Sequence, residues 1–402
     1  MHHRIRVILK PREEDRLVRG HPWVYDNEIA RVLGSPVAGD SVALESARGR
    51  FLGSALWSPR SKIRARRYTD EPRSFEEHLP DALERALALR ATEFDRDRES
   101  FRVAFGEADA LPGLIVDRFV GETPDGSRGV WLSVQILAAG MAAHKDAVVE
   151  RLVAALSPDG IMERSEAPVL AFEGLESTVG ALAGSVPPSV TILENGLRFE
   201  VDLASGQKTG WFLDQARNRA AAARYAKDAR VLDAFCNQGG FGLACAAAGA
   251  SSVLAVDSSA PALAAVAANA ARNGLADRVA TRAANAFDLL RELERSDERY
   301  GLIILDPPAF AKNKASVKGA LRGYKDINLR AMKLLEPGGR LVTCSCSSWV
   351  DRDTFMSTVA DAAADARRRF RVLEERPAAP DHPALLGYPE SRYLKCAILQ
   401  AL

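Results

Sequence analysis

The chain has 402 residues, 47% of them apolar and 27% charged, with a net charge of +1 at pH 7. At ~150 residues per domain this length exceeds one ordinary core, so two or three domains are expected. The composition excludes a disordered chain, and no apolar stretch approaches the ~18 residues that a bilayer-spanning helix needs. Met1-His2-His3-Arg4-Ile5-Arg6 lacks the apolar segment and small-residue cleavage site of a secretory signal, which makes the cytoplasm the expected compartment. Cys236, Cys245, Cys344, Cys346 and Cys396 form an odd set without metal-ligand spacing, so neither a metal site nor a disulfide framework is expected.

Charge is unevenly distributed. Residues 1 to 73 hold 15 Lys and Arg against 9 Asp and Glu, and the remaining 329 hold 39 against 44. This front segment reads as short strands at Arg4 to Leu9, Ser41 to Glu45, Phe51 to Trp57 and Ile63 to Tyr68, broken by turn residues, which suggests a small barrel. In the last strand, alternation puts Lys62, Arg64 and Arg66 on one face, where they would meet phosphates beside rings that stack on bases. The competing reading of the same residues is a solvated edge strand.

Phe75 to Arg98 has a helical composition, Leu114 to Phe119 and Val130 to Leu137 read as strands, and Met141 to Leu156 as a second helix. Carboxylates at Glu107-Ala108-Asp109 and Asp117-Arg118-Phe119 are of a kind common in surface turns, and this stretch reads as a structural spacer. After Val186-Pro187-Pro188 the pattern changes. Arg230 to Phe235, Ser252 to Asp257, Gly301 to Asp306 and Arg340 to Ser345 are apolar runs, each followed by a helical pattern, the signature of a doubly wound parallel sheet. Ligands bind beyond the carboxyl ends of such strands, and those ends carry Asp233, Asp257, Asp306 and Cys346.

The loop Asp233-Ala234-Phe235-Cys236-Asn237-Gln238-Gly239-Gly240-Phe241 resembles a dinucleotide loop but lacks the third glycine of the fingerprint, since Cys245 stands where it would fall. A pyrophosphate, and with it a nicotinamide oxidoreductase, is disfavoured. S-adenosylmethionine has no phosphate and carries cationic groups that suit Asp233, while Asp257 suits the ribose hydroxyls. Asn285 fits either the adenine edge or a helix cap before Ala286.

Glu194-Asn195-Gly196-Leu197, the run Gln207-Lys208-Thr209-Gly210-Trp211-Phe212-Leu213-Asp214-Gln215, the glycine loop, Asp306-Pro307-Pro308-Ala309-Phe310, Arg322-Gly323-Tyr324-Lys325-Asp326, Ser345-Cys346-Ser347 and Asp381-His382-Pro383 resemble the large-subunit ribosomal RNA cytosine-C5 methyltransferase family in order and spacing. His21-Pro22-Trp23 and Ile63-Arg64-Ala65-Arg66 extend the resemblance to the front of the chain. It implies an α/β protein: a PUA-like RNA-binding domain at 1–73, a middle α+β domain at 74–188 and a Rossmann-like class I methyltransferase domain at 189–402. It also implies an S-adenosylmethionine site at Asp233, Phe235, Asn237, Gly239, Gly240, Phe241, Asp257, Asn285, Asp306 and Gln215. RNA contacts are expected at Lys62, Arg64, Arg66, Phe310, Arg322 and Lys325, with large-subunit ribosomal RNA as the partner, no membrane, and a homodimer as the candidate assembly.

The implied chemistry needs a nucleophile, because cytosine C5 attacks a methyl sulfonium poorly until a thiolate adds to C6. Cys346 is the choice, although strand alternation would put Cys344 on the same face. Asp306 is expected to serve cytosine N3, and Phe310 to stack on a displaced base. The residues assign no base for the C5 proton. Some other RNA cytosine-C5 enzymes carry a second cysteine in the motif that here reads Asp306-Pro307-Pro308, where this chain has proline instead, so adduct release has to differ or Cys344 helps. Two rivals remain open: exocyclic-amine methylation without a covalent intermediate, and a non-catalytic RNA-binding assembly factor.

Overall fold

The computed structural model describes residues 4–93, 99–203 and 209–402. Met1, His2 and His3, the end of the helix expected to reach Arg98, and Gln207-Lys208 lie outside the described residues. The chain forms two compact units, one of residues 1–193, 200–213 and 380–391, the other of residues 194–199, 214–379 and 392–402.

The first unit opens with strands β1 (Arg6–Leu9), β2 (Trp23–Tyr25), β3 (Ile29–Leu33), β4 (Ser41–Glu45), β5 (Phe51–Trp57) and β6 (Ile63–Thr69). They make one mixed sheet in the order β2-β6-β5-β4-β1-β3, with β1 and β4 parallel. Val7, Leu9, Val24, Leu44, Ala55 and Ala65 share its core. Strands β2 and β3 are too short or too mixed to show in the pattern. A 19-residue helix, Phe75–Glu93, follows.

Next come β7 (Phe101–Phe105), β8 (Leu114–Glu122), β9 (Arg128–Ile136), β10 (Gly160–Ser165), β11 (Thr178–Gly184), β12 (Ser189–Glu194) and β13 (Leu197–Asp202), joined in a second sheet. The helix expected over Met141 to Leu156 is two pieces, Ala139–Ala142 and Lys145–Leu156. Asp109 and Asp117 differ from the expected surface carboxylates, being 9% and 0% exposed. Arg90 grips Asp109 with both terminal nitrogens, and Arg102 grips Asp117 at 2.7 and 2.8 Å. Buried charges persist only when paired in this way, so both acids serve architecture.

The second unit is built on β14 (Arg230–Ala234), β15 (Ser252–Asp257), β16 (Val279–Ala283), β17 (Tyr300–Leu305), β18 (Leu335–Ser345), β19 (Phe370–Arg376) and β20 (Lys395–Ala401). The order is β16-β15-β14-β17-β18-β20-β19. The first five strands are parallel, whereas β20 runs antiparallel between β18 and β19. Central strands covered on both faces need apolar residues throughout, and β17 is buried at Tyr300 and from Leu302 to Leu305. The strand order reverses between β14 and β17, and a crevice opens at such a switch point beyond the carboxyl ends.

Candidate active site

Directly after β14, the backbone enters a run of left-handed residues. Phe235, Asn237 and Gly239 have φ of 65°, 48° and 83°. Non-glycine residues rarely adopt this conformation unless their surroundings hold them there. The Asn237 amide donates to Asp257 Oδ2 at 3.0 Å, and the Ser259 amide to Asp257 Oδ1 at 2.9 Å. Each carboxylate oxygen thus keeps a second lone pair for a hydroxyl. A Cβ on Gly240 would fall 2.5 Å from Arg219 Nε, so only glycine fits beside that side chain. Arg219 in turn pairs with Glu194 at 2.6 Å.

Asp233 differs from its expected role as a carboxylate facing the cofactor. It is 1% exposed and accepts the Gly242 amide at 2.8 Å, which ties β14 to the helix Gly240–Ala247. Burial, with further help from Asp306, pushes its carboxyl up to about 7. Phe241 likewise is 5% exposed and lies near the Arg219 guanidinium, 6.0 Å from its ring centroid. Both residues shape the loop from behind.

Asn285 is the N-cap of the helix Ala286–Glu294, its side chain accepting the Phe287 amide at 2.9 Å. The cap reading is therefore the one the geometry satisfies. Gln215, 3% exposed, donates to Asp306 Oδ1 at 2.9 Å and is itself oriented by Asn218 at 2.7 Å. This fixes the carboxylate at the end of β17, across the switch point from the left-handed loop.

Strand β18 ends at Ser345, and that separates the two cysteines. Cys344 lies inside the sheet opposite Cys396 and is fully buried; its hydrogen bond to Cys396 and its burial hold it well above the usual thiol range. Cys346 sits past the strand end, partly exposed, with Sγ 3.8 Å from the Pro307 carbonyl oxygen. The two cysteines that alternation could not tell apart thus differ in burial, one inside the sheet and one beyond its end.

The flanking serines clamp Cys346 in place. Tyr324 OH receives the Ser345 hydroxyl at 3.0 Å and lies 2.9 Å from Ser347 Oγ, which also accepts the Ala311 amide at 3.1 Å. Lys395, opposite Ser345 in β20, donates from Nζ to the carbonyls of Ser347 and Tyr393, both at 2.7 Å. Burial lowers this ammonium to about 8, while the charge of Cys346 opposes that shift. Neither Tyr324 nor Lys395 carried a functional signal in the sequence beyond membership of a recognised segment for Tyr324.

The remaining RNA-contact expectations divide. Arg66 is a correction: it is 4% exposed, with NH2 2.6 Å from Glu173 Oε1 and Nε 3.4 Å from Glu107 Oε1. Facing two acids inside the unit, it cannot meet phosphate. Lys62 is exposed and Arg64 lies over the Trp57 ring at 5.8 Å. Lys325 is paired with Asp365 at 2.8 Å on a charged helix face, whereas Arg322 on the same helix is exposed. Phe310 is half-buried, its ring 4.7 Å from that of Tyr324 and 5.6 Å from that of Phe287.

A seven-stranded sheet of this order, with a left-handed glycine loop after its first strand and an acid ending the second, defines a class I methyltransferase fold. Family models match at residues 169–389, described as an S-adenosylmethionine-dependent methyltransferase, and at 7–70, a PUA-like domain. The "Ribosomal RNA large subunit methyltransferase I" of Tolumonas auensis is 40% identical over 98% of this chain and 99% of its own length. That of Shewanella frigidimarina is 41% identical over 97% and 98%. The structure described as "A putative sam-dependent methyltransferase from Streptococcus mutans" superposes with a TM-score of 0.82 at 19% identity, covering 98% of this chain and 99% of its own. The chain belongs to the S-adenosylmethionine-dependent methyltransferases, in the family of these ribosomal RNA large subunit methyltransferases. No helix among the described residues is long and apolar enough to cross a membrane.

Proposed function

We propose that the enzyme methylates C5 of a cytosine in large-subunit ribosomal RNA, with Cys346 as the nucleophile, and that it does so in the cytoplasm. The observation that carries this reading is the position of Cys346. It is the one partly exposed cysteine among the described residues, and it stands beside the Asp306-Pro307 turn that flanks the switch point. The hydrogen bond of Cys344 to Cys396, together with its burial, keeps that thiol protonated.

The residues of the crevice suit S-adenosylmethionine. Asp257 keeps acceptor capacity for vicinal hydroxyls, and the glycines of the loop let it pack closely against Arg219 and Val266 beside that acid. Bound there, the cofactor supplies an electrophilic methyl group. The chain supplies the rest. Lys395 places a cation next to the Ser347 carbonyl and favours the thiolate of Cys346. That thiolate adds to cytosine C6, and electron density moves toward N3 and C5. Asp306, oriented by Gln215 and acting as the carboxylic acid, hands a proton to N3, which neutralises the charge that the thiolate brings to the ring and leaves C5 enamine-like. Lys62, Arg64, Phe310 and Arg322 are the RNA contacts that accompany this reading.

Replacement of Cys346 by Ala tests it with mass spectrometry of nucleosides from treated RNA. Cytosine-C5 chemistry predicts loss of 5-methylcytidine with S-adenosylmethionine binding retained. Survival of activity in Cys346→Ala, with the methyl on an exocyclic amine, overturns it. The Asp306-Pro307-Pro308 turn is the feature that keeps the amine reading in the comparison.

A further inference from the structure

From Pro307 through Lys325 the chain contains five cations and no acidic residue. Lys325 is neutralised by Asp365, but Lys312, Lys314, Lys318 and Arg322 are exposed and have no hydrogen-bond or ion-pair partner among the described residues. Arg282, Arg291, Arg330, Lys333, Arg352 and Arg376 all sit against carboxylates. An unrelieved cluster of like charge is self-repulsive and is offset when a polyanion lies across it.

The cluster is joined to the nucleophile. The Ala311 amide donates to Ser347 Oγ at 3.1 Å, one residue from Cys346 and one residue from Lys312. The segment is also held in shape: Asn313 accepts the Ser316 amide at 3.0 Å, and Ser316 Oγ accepts the Asn313 amide at 3.1 Å. Three residues after Cys346 in the chain, Trp349 is 54% exposed while its neighbour Val350 is buried in the core. A large ring held out to solvent by an anchored turn is a stacking platform for a base.

We propose that the strand of RNA flanking the target base runs in single-stranded form across Lys312, Lys314, Lys318 and Arg322, with a neighbouring base stacked on Trp349. This deepens the proposed function, because it rests on RNA being the substrate presented to Cys346. The four cations supply sequence-independent phosphate attraction, and Trp349 selects for an unpaired base, which a duplex cannot offer. The arrangement explains why Cys346 sits on an open turn. A base must leave its helix to reach it.

The test is equilibrium binding of a 12-nucleotide single-stranded RNA to the full chain across a salt series, with the same strand in a duplex as a second probe. Neutralising the four cations together (Lys312→Gln, Lys314→Gln, Lys318→Gln, Arg322→Gln) is expected to flatten the dependence of log affinity on log salt by about 2 to 3, at ~0.7 per phosphate contact. Trp349→Ala is expected to weaken single-strand binding about tenfold, and Trp349 fluorescence to be quenched by the single strand only. Lys325→Gln, already paired, should move neither. Calorimetric binding of S-adenosylmethionine by each variant confirms an intact fold. An unchanged salt slope in the quadruple variant, or duplex binding equal to single-strand binding, overturns the proposal. Because the readout is binding, it fails or succeeds independently of whether Cys346 forms an adduct.

Discussion

Arg66 offers a perturbation whose size follows from the structure. Its guanidinium is shared by Glu173, whose side chain is 1% exposed, Glu107, 10% exposed, and Ser58 Oγ at 3.3 Å. The two acids are further committed, Glu173 to the Ala139 amide at 3.0 Å and Glu107 to the Trp23 indole at 2.7 Å. Arg66→Ala therefore leaves two carboxylates in a dry interior with their countercharge removed. Breaking one buried pair costs about 3–5 kcal/mol. With a shift of about 2–4 °C per kcal/mol for a unit of this size, the melting transition of the first unit should fall by roughly 6 °C or more. Arg66→Lys should recover only part of it, because a point charge cannot serve acids on two sides. Circular dichroism melting reads the effect, and RNA binding at fixed temperature below the transition provides the control. A variant that melts within about 2 °C of the parent yet binds RNA tenfold more weakly would refute the structural assignment and restore Arg66 to the RNA face.

Lys395→Met removes the cation beside the Cys346 turn. Because the native ammonium titrates at about 8, it is present at neutral pH and lost above that, so its help to the thiolate is confined to the lower range. The pH midpoint for iodoacetamide alkylation of Cys346 should rise by about one unit in the variant, equivalent to ~1.4 kcal/mol, and return in Lys395→Arg. An unchanged midpoint removes Lys395 from the mechanism. Asp233 has the opposite linkage. Its folded value of about 7 lies above the ordinary carboxyl range, so the folded state binds the extra proton and stability declines as pH rises from about 4 to 7. Asp233→Asn keeps an acceptor for the Gly242 amide and should flatten that decline, measured by urea midpoints at pH 5 and 8. Cys344→Ala should leave Cys346 alkylation at its parent rate while costing some stability at a fully buried site, whereas loss of alkylation would mean that the two sulfurs act together.

Much of the second unit was legible because its central strands are buried on both faces. Ser252 to Asp257 falls where expected to the residue, and the ends of β14 and β17 lie within one residue of the expected positions. The acids at those ends could be read for the same reason: they interrupt apolar runs. What they touch could not be read. Asp233 faces the helix behind it instead of the crevice, and only the path of the following loop decides that. Arg66 was misread through strand alternation, because the side of β6 that is interior depends on Glu173, more than a hundred residues away in sequence. Lys395 was invisible, as a single lysine in β20 reads as an edge residue until the antiparallel insertion between β18 and β19 buries it. The separation of Cys346 from Cys344 turned on one residue of strand length, the least predictable property of a strand.

The most direct test of the central claim is trapping on RNA that contains 5-fluorocytosine, in the presence of S-adenosylmethionine. Fluorine at C5 blocks the final elimination, so a covalent protein–RNA complex should accumulate and peptide mapping should find the nucleotide on Cys346, with none formed by Cys346→Ala and full yield from Cys344→Ala. Active enzyme that forms no adduct, or an adduct mapped to another residue, would contradict the account.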